Sequence, residues 1–184
     1  HLKTGEPIWE RRFASHIESY PAVNAENNRL WAGAGSLGLW ALDTEDGSKL
    51  WWVKIGHIDA SPIYDDGRLF AMAKLTEEND GSAFFELDPD NGDILKKIEL
   101  PGNPMGQIFK MGHDQFVVST AVGQVGLNKE SDKGWVMRVD LANKDKPIVW
   151  QYELTTMAIP EGQMLADKSL VYFAVKNGEV VALD

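Results

Sequence analysis

The stretch Ala41-Leu42-Asp43-Thr44-Glu45-Asp46-Gly47-Ser48-Lys49-Leu50-Trp51 carries a pattern that recurs along the chain. An apolar residue precedes an aspartate, a glycine follows four residues later, and a tryptophan stands four residues after the glycine. An apolar residue followed by an aspartate occurs again at Asp88, Asp140 and Asp184. Counted from Asp43, the intervals between successive aspartates are 45, 52 and 44 residues. Because four-stranded propeller blades repeat about every 40–50 residues, the pattern predicts four such blades.

The two ends of the chain fall at the same phase of this repeat. Gly5 and Trp9 have the glycine-to-tryptophan spacing, and His1 stands where the repeat carries its aspartate. The last repeat therefore stops one strand short, and residues 7–13 can supply that strand. We expect 7–13 to pair antiparallel with 179–183, because such pairing removes an exposed strand edge. Pairing within one chain gives four blades and pairing between two chains gives an eight-bladed ring, whereas an excised fragment keeps both ends open.

Short apolar runs with a period near two, bounded by Gly, Pro, Asn and Asp, fill each repeat. This pattern predicts β-strands joined by tight turns, and no segment keeps helical spacing over three turns. We therefore expect an all-β chain in which residues 1–184 form a single propeller domain or a four-blade part of a larger propeller. The predicted strands are 20–23, 29–32, 38–42, 50–55, 62–64, 68–73, 82–87, 94–100, 107–109, 115–121, 135–139, 148–154, 163–165, 170–175 and 179–183. Solvated loops are expected at 74–81 and 122–134.

Composition and charge argue against several classes of function. The chain has 18 Lys and Arg residues against 28 Asp and Glu, so its net charge is −10. A field of that sign repels phosphate backbones and anionic lipid headgroups, so neither nucleic acid nor a membrane surface is an expected partner.

The absence of cysteine excludes disulfides, thiolate metal sites and a cysteine nucleophile. No apolar run approaches the ~20 residues of a membrane span, and the first residues lack the layout of a secretion signal, which indicates a mature or excised chain.

The aspartate, glycine and tryptophan spacing resembles the tryptophan-docking motif of the PQQ-like (quinoprotein-type) β-propeller family. In that family, the tryptophan of a blade's outer strand packs against the neighbouring blade and holds the two together. The resemblance covers essentially the full chain. The residues that it implies as blade-docking are Trp9, Gly47, Trp51, Gly92 and Trp150. Lys96 stands where the second repeat should carry its tryptophan, so the junction there is predicted to be the weakest.

The resemblance also implies a choice of functions, because the family contains quinone-dependent dehydrogenases, barrel-assembly scaffolds and sensor domains. We expect a non-catalytic scaffold or recognition module of a periplasmic or extracellular protein, with protein partners at a loop face or sheet edge. No catalytic residue and no cofactor are assigned, and a homodimer or further blades in the parent chain are expected. The alternatives are part of a PQQ-dependent oxidoreductase, which would bind PQQ with calcium, and a propeller that senses a small ligand. Four repeats without cysteine favour the scaffold, since the dehydrogenases have more blades and many carry a vicinal cysteine pair.

A polar group recurs just before the predicted innermost strand of the first two repeats. His16 and His57 each stand five residues before a proline and two residues before a carboxylate. Innermost strands surround the axis of a propeller, so these side chains are expected at one mouth of its channel. The candidates for binding a divalent metal or polar ligand are His16, Glu18, His57 and Asp59, with Gln107 and Gln163 at the same mouth.

The favoured alternative to a metal site is a solvated turn. In that interpretation Ile17 and Ile58 enter the core while the histidines and carboxylates beside them face water. Trp52 raises a separate question, because it follows Trp51 directly and must project to the opposite face of the strand. An exposed Trp52 would mark an interface, and the alternative is packing between blades or under a loop.

Overall fold

The computed structural model describes residues 3–14, 16–76, 81–122, 133–154, 163–164, 170–175 and 178–184. These residues form fifteen strands and no helix. Accordingly, the described ranges contain no helix with the length and apolarity that crossing a membrane requires. In chain order the strands are β1 (Ala22–Asn24), β2 (Arg29–Gly33), β3 (Leu39–Asp43), β4 (Lys49–Val53), β5 (Ile63–Asp65), β6 (Arg68–Lys74), β7 (Ser82–Leu87), β8 (Ile94–Leu100), β9 (Asn103–Lys110), β10 (Gln115–Val122), β11 (Lys133–Asp140), β12 (Ile148–Leu154), β13 (Gln163–Met164), β14 (Val171–Ala174) and β15 (Val180–Leu183).

The strands form four antiparallel sheets in which each strand pairs with its neighbours in sequence. Three sheets have four strands each, β1–β4, β5–β8 and β9–β12, and we call them blades 1, 2 and 3. Strands β13–β15 form a three-stranded sheet, blade 4. The prediction of an all-β chain with one sheet for each sequence repeat is therefore confirmed.

The turn between the third and fourth strands of a blade is set by its own aspartate and glycine. In blade 1 the Asp43 carboxylate accepts a hydrogen bond from the Glu45 backbone N–H at 2.7 Å, and the Gly47 N–H donates to the Asp43 carbonyl at 2.9 Å. Gly47 has a φ of +69°, which residues with a Cβ rarely adopt. In blade 2 the Gly92 N–H donates to the Asp88 carbonyl at 2.8 Å. The repeated spacing of aspartate and glycine is therefore the signature of one turn geometry.

Three hydrophobic clusters lie between consecutive blades. Strand β6 of blade 2 contributes to two of them, because its alternate residues point to opposite faces of the sheet. Leu69, Ala71 and Ala73 pack toward blade 1, whereas Phe70 and Met72 pack toward blade 3. All five side chains are fully buried. Burial on both faces explains why β6 is a continuous apolar run rather than an alternation of apolar and polar residues.

Most strands lie within a few residues of their predicted positions, and blade 3 shows the largest differences. Strand β9 extends from Asn103 to Lys110, whereas the sequence predicts only 107–109. Pro104 is tolerated in this strand because β9 pairs only with β10 among the described strands, so a missing N–H need not break a ladder bond. Strands β10 and β11 also include the ends of the loop predicted at 122–134. Residues 123–132 of that loop, and 77–80 of the loop before it, lie outside the described residues.

Residues 7–13 do not form the outer strand predicted for blade 4. This segment contains no strand, and β15 pairs only with β14 in the part of the chain that the structure describes. The pairing of 7–13 with 179–183 is therefore wrong within one chain, whereas the same pairing between two chains stays a prediction. Trp9 holds the segment against blade 1, where its indole N–H donates to the Thr44 carbonyl at 2.8 Å. The physical reason is that no hydrophobic cluster of the described residues joins blade 4 to blade 1, so β15 is not held beside this segment.

Candidate functional site

Blade 1 contacts blade 2 through a tryptophan that lies directly on a glycine. Trp51, on the outer strand β4, packs so closely over Gly92 that a Cβ on this glycine would lie 2.8 Å from Trp51 Cε3. The indole N–H of Trp51 donates to the Pro89 carbonyl at 3.0 Å. The contact therefore depends on an aromatic ring from one blade and on the absence of a side chain in the next.

The same contact occurs at the preceding position of the repeat. A Cβ on Gly47 would lie 2.6 Å from Trp9 Cε3, and the Trp9 indole is hydrogen-bonded to Thr44 in the same turn. The stem of Arg11 also covers this glycine, with its Cγ 2.8 Å from the Cβ position. The segment before β1 is thus attached to blade 1 as blade 1 is attached to blade 2.

Trp150, the next tryptophan of the pattern, lies on β12 opposite Arg138. It packs against the hydrophobic cluster between blades 3 and 4. It also lines a groove of about 240 Å³ together with Tyr152, Leu183 and Asp184. Trp150 therefore lies beside the end of β15, where the fourth aspartate of the repeat stands.

The junction between blades 2 and 3 has neither the tryptophan nor the glycine. Lys96 occupies the tryptophan position, and the turn 140–147 of blade 3 contains no glycine. Arg68 of β6 connects the two blades instead, since its guanidinium donates to Glu86 at 2.8 Å and to Asp114 of blade 3 at 2.9 Å. Chiefly because of the hydrogen bond to Glu86, the pKa of Arg68 is raised above its usual value.

Aromatic packing accompanies this charged network. Phe70 and Phe84 of blade 2 pack on Phe116 of blade 3, with ring centroids 4.6 and 5.0 Å from that of Phe116. The Arg68 guanidinium lies 4.9 Å from the centroid of the Phe70 ring. The junction therefore has contacts of other kinds in place of the docking tryptophan, and its relative weakness stays a prediction.

Two histidines and an aspartate form a cluster of side chains suited to bind a metal, and no other group of this kind occurs among the described residues. Asp59 Oδ1 lies 2.9 Å from His57 Nε2 and 4.0 Å from His16 Nε2. The centroids of the two imidazole rings are 5.4 Å apart. The His57 side chain is 17% exposed, whereas those of His16 and Asp59 are 43% and 41% exposed. The cluster is therefore fixed on its His57 side and open to solvent on the other.

The backbone and one hydroxyl hold His57 in place. Both backbone hydrogen bonds of an antiparallel bridge join His57 to Lys74, at 2.8 and 2.9 Å. The next N–H, of Ile58, donates to the Gly35 carbonyl at 3.1 Å. Ser36 Oγ lies 3.0 Å from His57 Nδ1. A hydrogen bond at Nδ1 fixes the orientation of the ring, so that Nε2 points into the cluster.

His16 comes from the segment before β1 and lies on the backbone of Gly35. A Cβ at Gly35 would lie 2.9 Å from both Cε1 and Nε2 of His16, and this glycine has a φ of +54°. A side chain at residue 35 would therefore push His16 away from His57. The sequence carries no signal for the roles of Gly35 and Ser36, because a loop between two strands does not show which distant segment it touches.

Glu18, Gln107 and Gln163 are the remaining residues that the sequence suggests. Glu18 is exposed and is not part of the group. Gln107 lies on β9, where it forms an isolated parallel bridge with Ser61. Gln163 lies on β13, paired with Tyr172.

The two isoleucines beside the histidines differ in burial. Ile58 is fully buried in the cluster between blades 1 and 2, as the solvated-turn interpretation predicts. For Ile17 the same prediction is wrong, because this side chain is 48% exposed. The reason is that Ile17 precedes the first strand of blade 1, whereas Ile58 lies between two blades and forms a backbone bridge to Gly35.

The outer strand of blade 1 exposes two large apolar side chains. On β4, Leu50 is 43% exposed and Trp52 is 46% exposed. The Trp52 ring packs on Trp40 with a centroid distance of 6.2 Å, and its indole N–H donates to the Leu37 carbonyl. Trp52 therefore combines partial packing with an exposed face, on the side of β4 opposite to Trp51.

A family model described as "Outer membrane protein assembly factor BamB" matches residues 1–184. Among curated protein sequences, nothing matches the chain significantly. The crystal structure of BamB from Moraxella catarrhalis is 15% identical with a TM-score of 0.64, and the match covers 96% of this chain and 49% of that one. The chain thus spans about half the length of that protein.

Two further structures show the same fold. The computationally designed Ika4 protein is 13% identical with a TM-score of 0.70, and the match covers 98% of each chain. The quinohemoprotein alcohol dehydrogenase ADHIIG from Pseudomonas putida HK5 is 14% identical with a TM-score of 0.58, covering 85% of this chain and 31% of that one. With the full-length family match, these similarities confirm the predicted propeller fold and the PQQ-like repeat. The chain therefore belongs to the family of the outer membrane protein assembly factor BamB.

Proposed function

We propose that residues 1–184 form a non-catalytic propeller module that binds other proteins in the cell envelope. Membership of the BamB family supports this proposal, because the family description refers to a factor in outer membrane protein assembly. A periplasmic or extracellular location is part of the proposal and rests on the same membership. A fold by itself does not define a function, so a specific surface is needed.

The observation that carries the proposal is the apolar edge of blade 1. Strand β4 pairs only with β3 among the described strands, so an extended segment of another protein can add to its other edge through backbone hydrogen bonds. Leu50 and Trp52 are both exposed on β4, and Leu50 is the extra residue of a β-bulge, because Trp51 pairs with Ala41 and Lys49 pairs with Leu42. We propose that the partner is an extended segment with apolar side chains that pack on these two residues.

Site-specific photocrosslinking tests this surface in cells that express the protein. A photoreactive amino acid at Leu50 should give a discrete protein adduct. The matched control is Glu99, which is also on an outer strand, β8, and has a side chain that is 75% exposed. The adduct should be absent at position 99 and should disappear when Trp52→Arg is added to the Leu50 probe. The same adducts from both positions, or no adduct at position 50, would overturn the proposal.

Part of a PQQ-dependent oxidoreductase is the second candidate, supported by the similarity to the quinohemoprotein alcohol dehydrogenase. The donor groups found here do not fit the calcium ion of that cofactor. Calcium takes about six to eight oxygen ligands, whereas the cluster of His16, His57 and Asp59 offers two imidazole nitrogens and one carboxylate. We therefore propose that the module works without PQQ.

Equilibrium dialysis of the pure protein against PQQ and calcium chloride distinguishes the two candidates. We expect no saturable uptake of the quinone. Retention of one PQQ for each chain would favour the oxidoreductase and contradict the scaffold.

A further inference from the structure

We infer that His16, His57 and Asp59 form a binding site for a divalent transition-metal cation of the zinc class. This site is separate from the protein-binding edge proposed on blade 1. Two imidazoles and one carboxylate are a set of three protein ligands that zinc takes in open sites. They suit calcium and magnesium poorly, because those cations prefer oxygen ligands throughout.

Two of the three distances between ligand atoms are close to those that one ion requires, and all three atoms lie within 4.8 Å of one another. Ligand atoms bound to a tetrahedral zinc at about 2.0–2.1 Å lie roughly 3.3 Å from one another. The oxygen of Asp59 lies 2.9 Å from Nε2 of His57 and 4.0 Å from Nε2 of His16. Each of these separations differs from the ideal by less than about 1 Å. Small rotations of the two exposed side chains, His16 and Asp59, can remove this difference.

The structure holds one of the ligands in place before any ion binds. His57 is fixed by its backbone bridge to Lys74 and by Ser36 at Nδ1, which leaves Nε2 as the ligand atom. This is the usual arrangement around metal-bound histidine, whose second nitrogen is hydrogen-bonded to a neighbouring group. His16 lies against the backbone of Gly35.

A second imidazole, that of His16, lies beside the pair of His57 and Asp59. Gly35 has no room for a Cβ against His16, so the loop between β2 and β3 is shaped to admit that ring beside the same carboxylate. The ion would join the segment before β1 to the connection between blades 1 and 2. The fourth position would face solvent, on the side where His16 and Asp59 are exposed, and would be taken by water.

Calorimetric titration of the tag-free protein with zinc chloride tests the site. We expect one zinc for each chain. The midpoint of thermal unfolding should rise by roughly 5–10 °C when free zinc is about 100 times its dissociation constant. Magnesium chloride at the same concentration should leave the midpoint unchanged.

Variants identify the ligands. His16→Ala and Asp59→Asn should each weaken zinc binding at least about tenfold, and both side chains are exposed enough for the metal-free protein to stay folded. The matched control is His113→Ala, which removes an exposed imidazole whose Nδ1 lies 3.8 Å from Asp66 Oδ2, outside the cluster. This control should bind zinc as the parent does.

Two results would overturn the inference. One is equal zinc affinity in the parent, His16→Ala and Asp59→Asn. The other is a parent protein that takes up no zinc at millimolar concentration. Either result leaves the proposed edge on β4 standing, because Leu50 and Trp52 are not part of the cluster.

Discussion

The indole ring of Trp51 occupies the place that a side chain at Gly92 would fill. A Cβ on that glycine would lie 2.8 Å from Trp51 Cε3 and 2.9 Å from Cζ3. Gly92 also has a φ of +81°, so its position excludes a Cβ on both conformational and packing grounds. Two residues separated by 41 positions in sequence, 51 and 92, thus define the contact between blades 1 and 2.

The first prediction separates the cost of backbone strain at a positive φ from the cost of packing a side chain against Trp51. Gly67 has a similar φ of +75° but no atom within 4 Å of its Cβ position. We therefore expect Gly67→Ala to cost about 1 kcal/mol of unfolding free energy through backbone strain. Gly92→Ala should cost about 3 kcal/mol, because overpacking against Trp51 is added to the strain. Urea unfolding measures both values, and equal losses would show that the tryptophan contact contributes little.

The second prediction compares two adjacent tryptophans. Trp51 packs against the cluster between blades 1 and 2 and donates a hydrogen bond to Pro89, so Trp51→Ala should cost about 3–5 kcal/mol. Trp52 is half-exposed, and Trp52→Ala should cost less than about 1 kcal/mol. The measurement is again urea unfolding at neutral pH. A larger loss for Trp52 than for Trp51 would contradict the assignment of their faces.

The third prediction concerns Arg68 and Glu86 at the junction of blades 2 and 3. Arg68→Met should cost about 3 kcal/mol, because it leaves the buried Glu86 carboxylate without its closest partner. Adding Glu86→Leu should restore most of the loss, since no charge then remains buried. The control is Arg29→Met at the junction of blades 1 and 2, where the partner Asp90 is exposed and the loss should stay below about 1 kcal/mol.

The direction of the Arg68 pKa shift fixes how this contribution depends on pH. The pKa of Arg68 is higher in the folded protein than in the unfolded chain. The stabilisation that its charge provides is therefore fully present below the unfolded pKa and is lost only as the pH rises through the folded pKa. The guanidinium therefore keeps its contribution across the ordinary pH range. A steep loss of the Arg68 contribution between about pH 7 and 9, seen in urea unfolding, would contradict this account.

The fourth prediction concerns Asp46, in the turn that carries Gly47. Its carboxylate accepts a hydrogen bond from the Ser48 backbone N–H at 2.8 Å, and this bond, followed by one from the Ser48 side chain, lowers its pKa below the usual 3.8. Because the pKa of Asp46 is lower in the folded protein than in the unfolded chain, its ionised carboxylate stabilises the fold at pH values above the unfolded pKa. This stabilisation is lost as the pH falls through the folded pKa. Asp46→Asn should therefore be less stable than the parent at pH 7, with a difference that closes below about pH 4. Urea midpoints at several pH values provide the measurement, and a difference that does not change with pH would contradict it.

The fifth prediction tests why Lys96 replaces a tryptophan. The corresponding turn of blade 3, residues 140–147, contains no glycine, so it offers an indole at residue 96 no bare backbone to pack on. Lys96→Trp should therefore give no gain in unfolding free energy, and it also removes an ammonium group 3.6 Å from Glu86. A stabilisation of more than about 1 kcal/mol would show that the junction accepts the family contact without its glycine.

The sequence predicts the sheets well because two local signals agree. The spacing from Asp43 to Gly47 identifies a turn that its own backbone forms, and the apolar runs on either side have the period of strands. The pairing of 7–13 with 179–183 within one chain is wrong because it depends on a non-local contact. Position in the repeat shows that Trp9 can pack on a turn, but it does not show whether the segment around it gains a strand partner.

The candidate cluster was predicted in part for a similar reason. The repeated pattern of a histidine two residues before a carboxylate points to His16, His57 and Asp59, and the structure brings these three together. The same pattern also includes Glu18, which lies outside the group, because the two copies have different surroundings. Ser36 and Gly35 complete the arrangement from another loop, and no local pattern connects a loop with the histidines it supports.

The clusters that lie between blades limit how such a protein can change length during evolution. Because β6 divides its residues between two clusters, a deletion that removed only part of a blade would leave both clusters without some of their packing partners. A viable duplication or deletion must therefore begin and end at equivalent strands of consecutive blades, so that each remaining face meets one of the same kind. Chain length should then vary among relatives in whole repeats, with insertions of other sizes confined to the connections between strands.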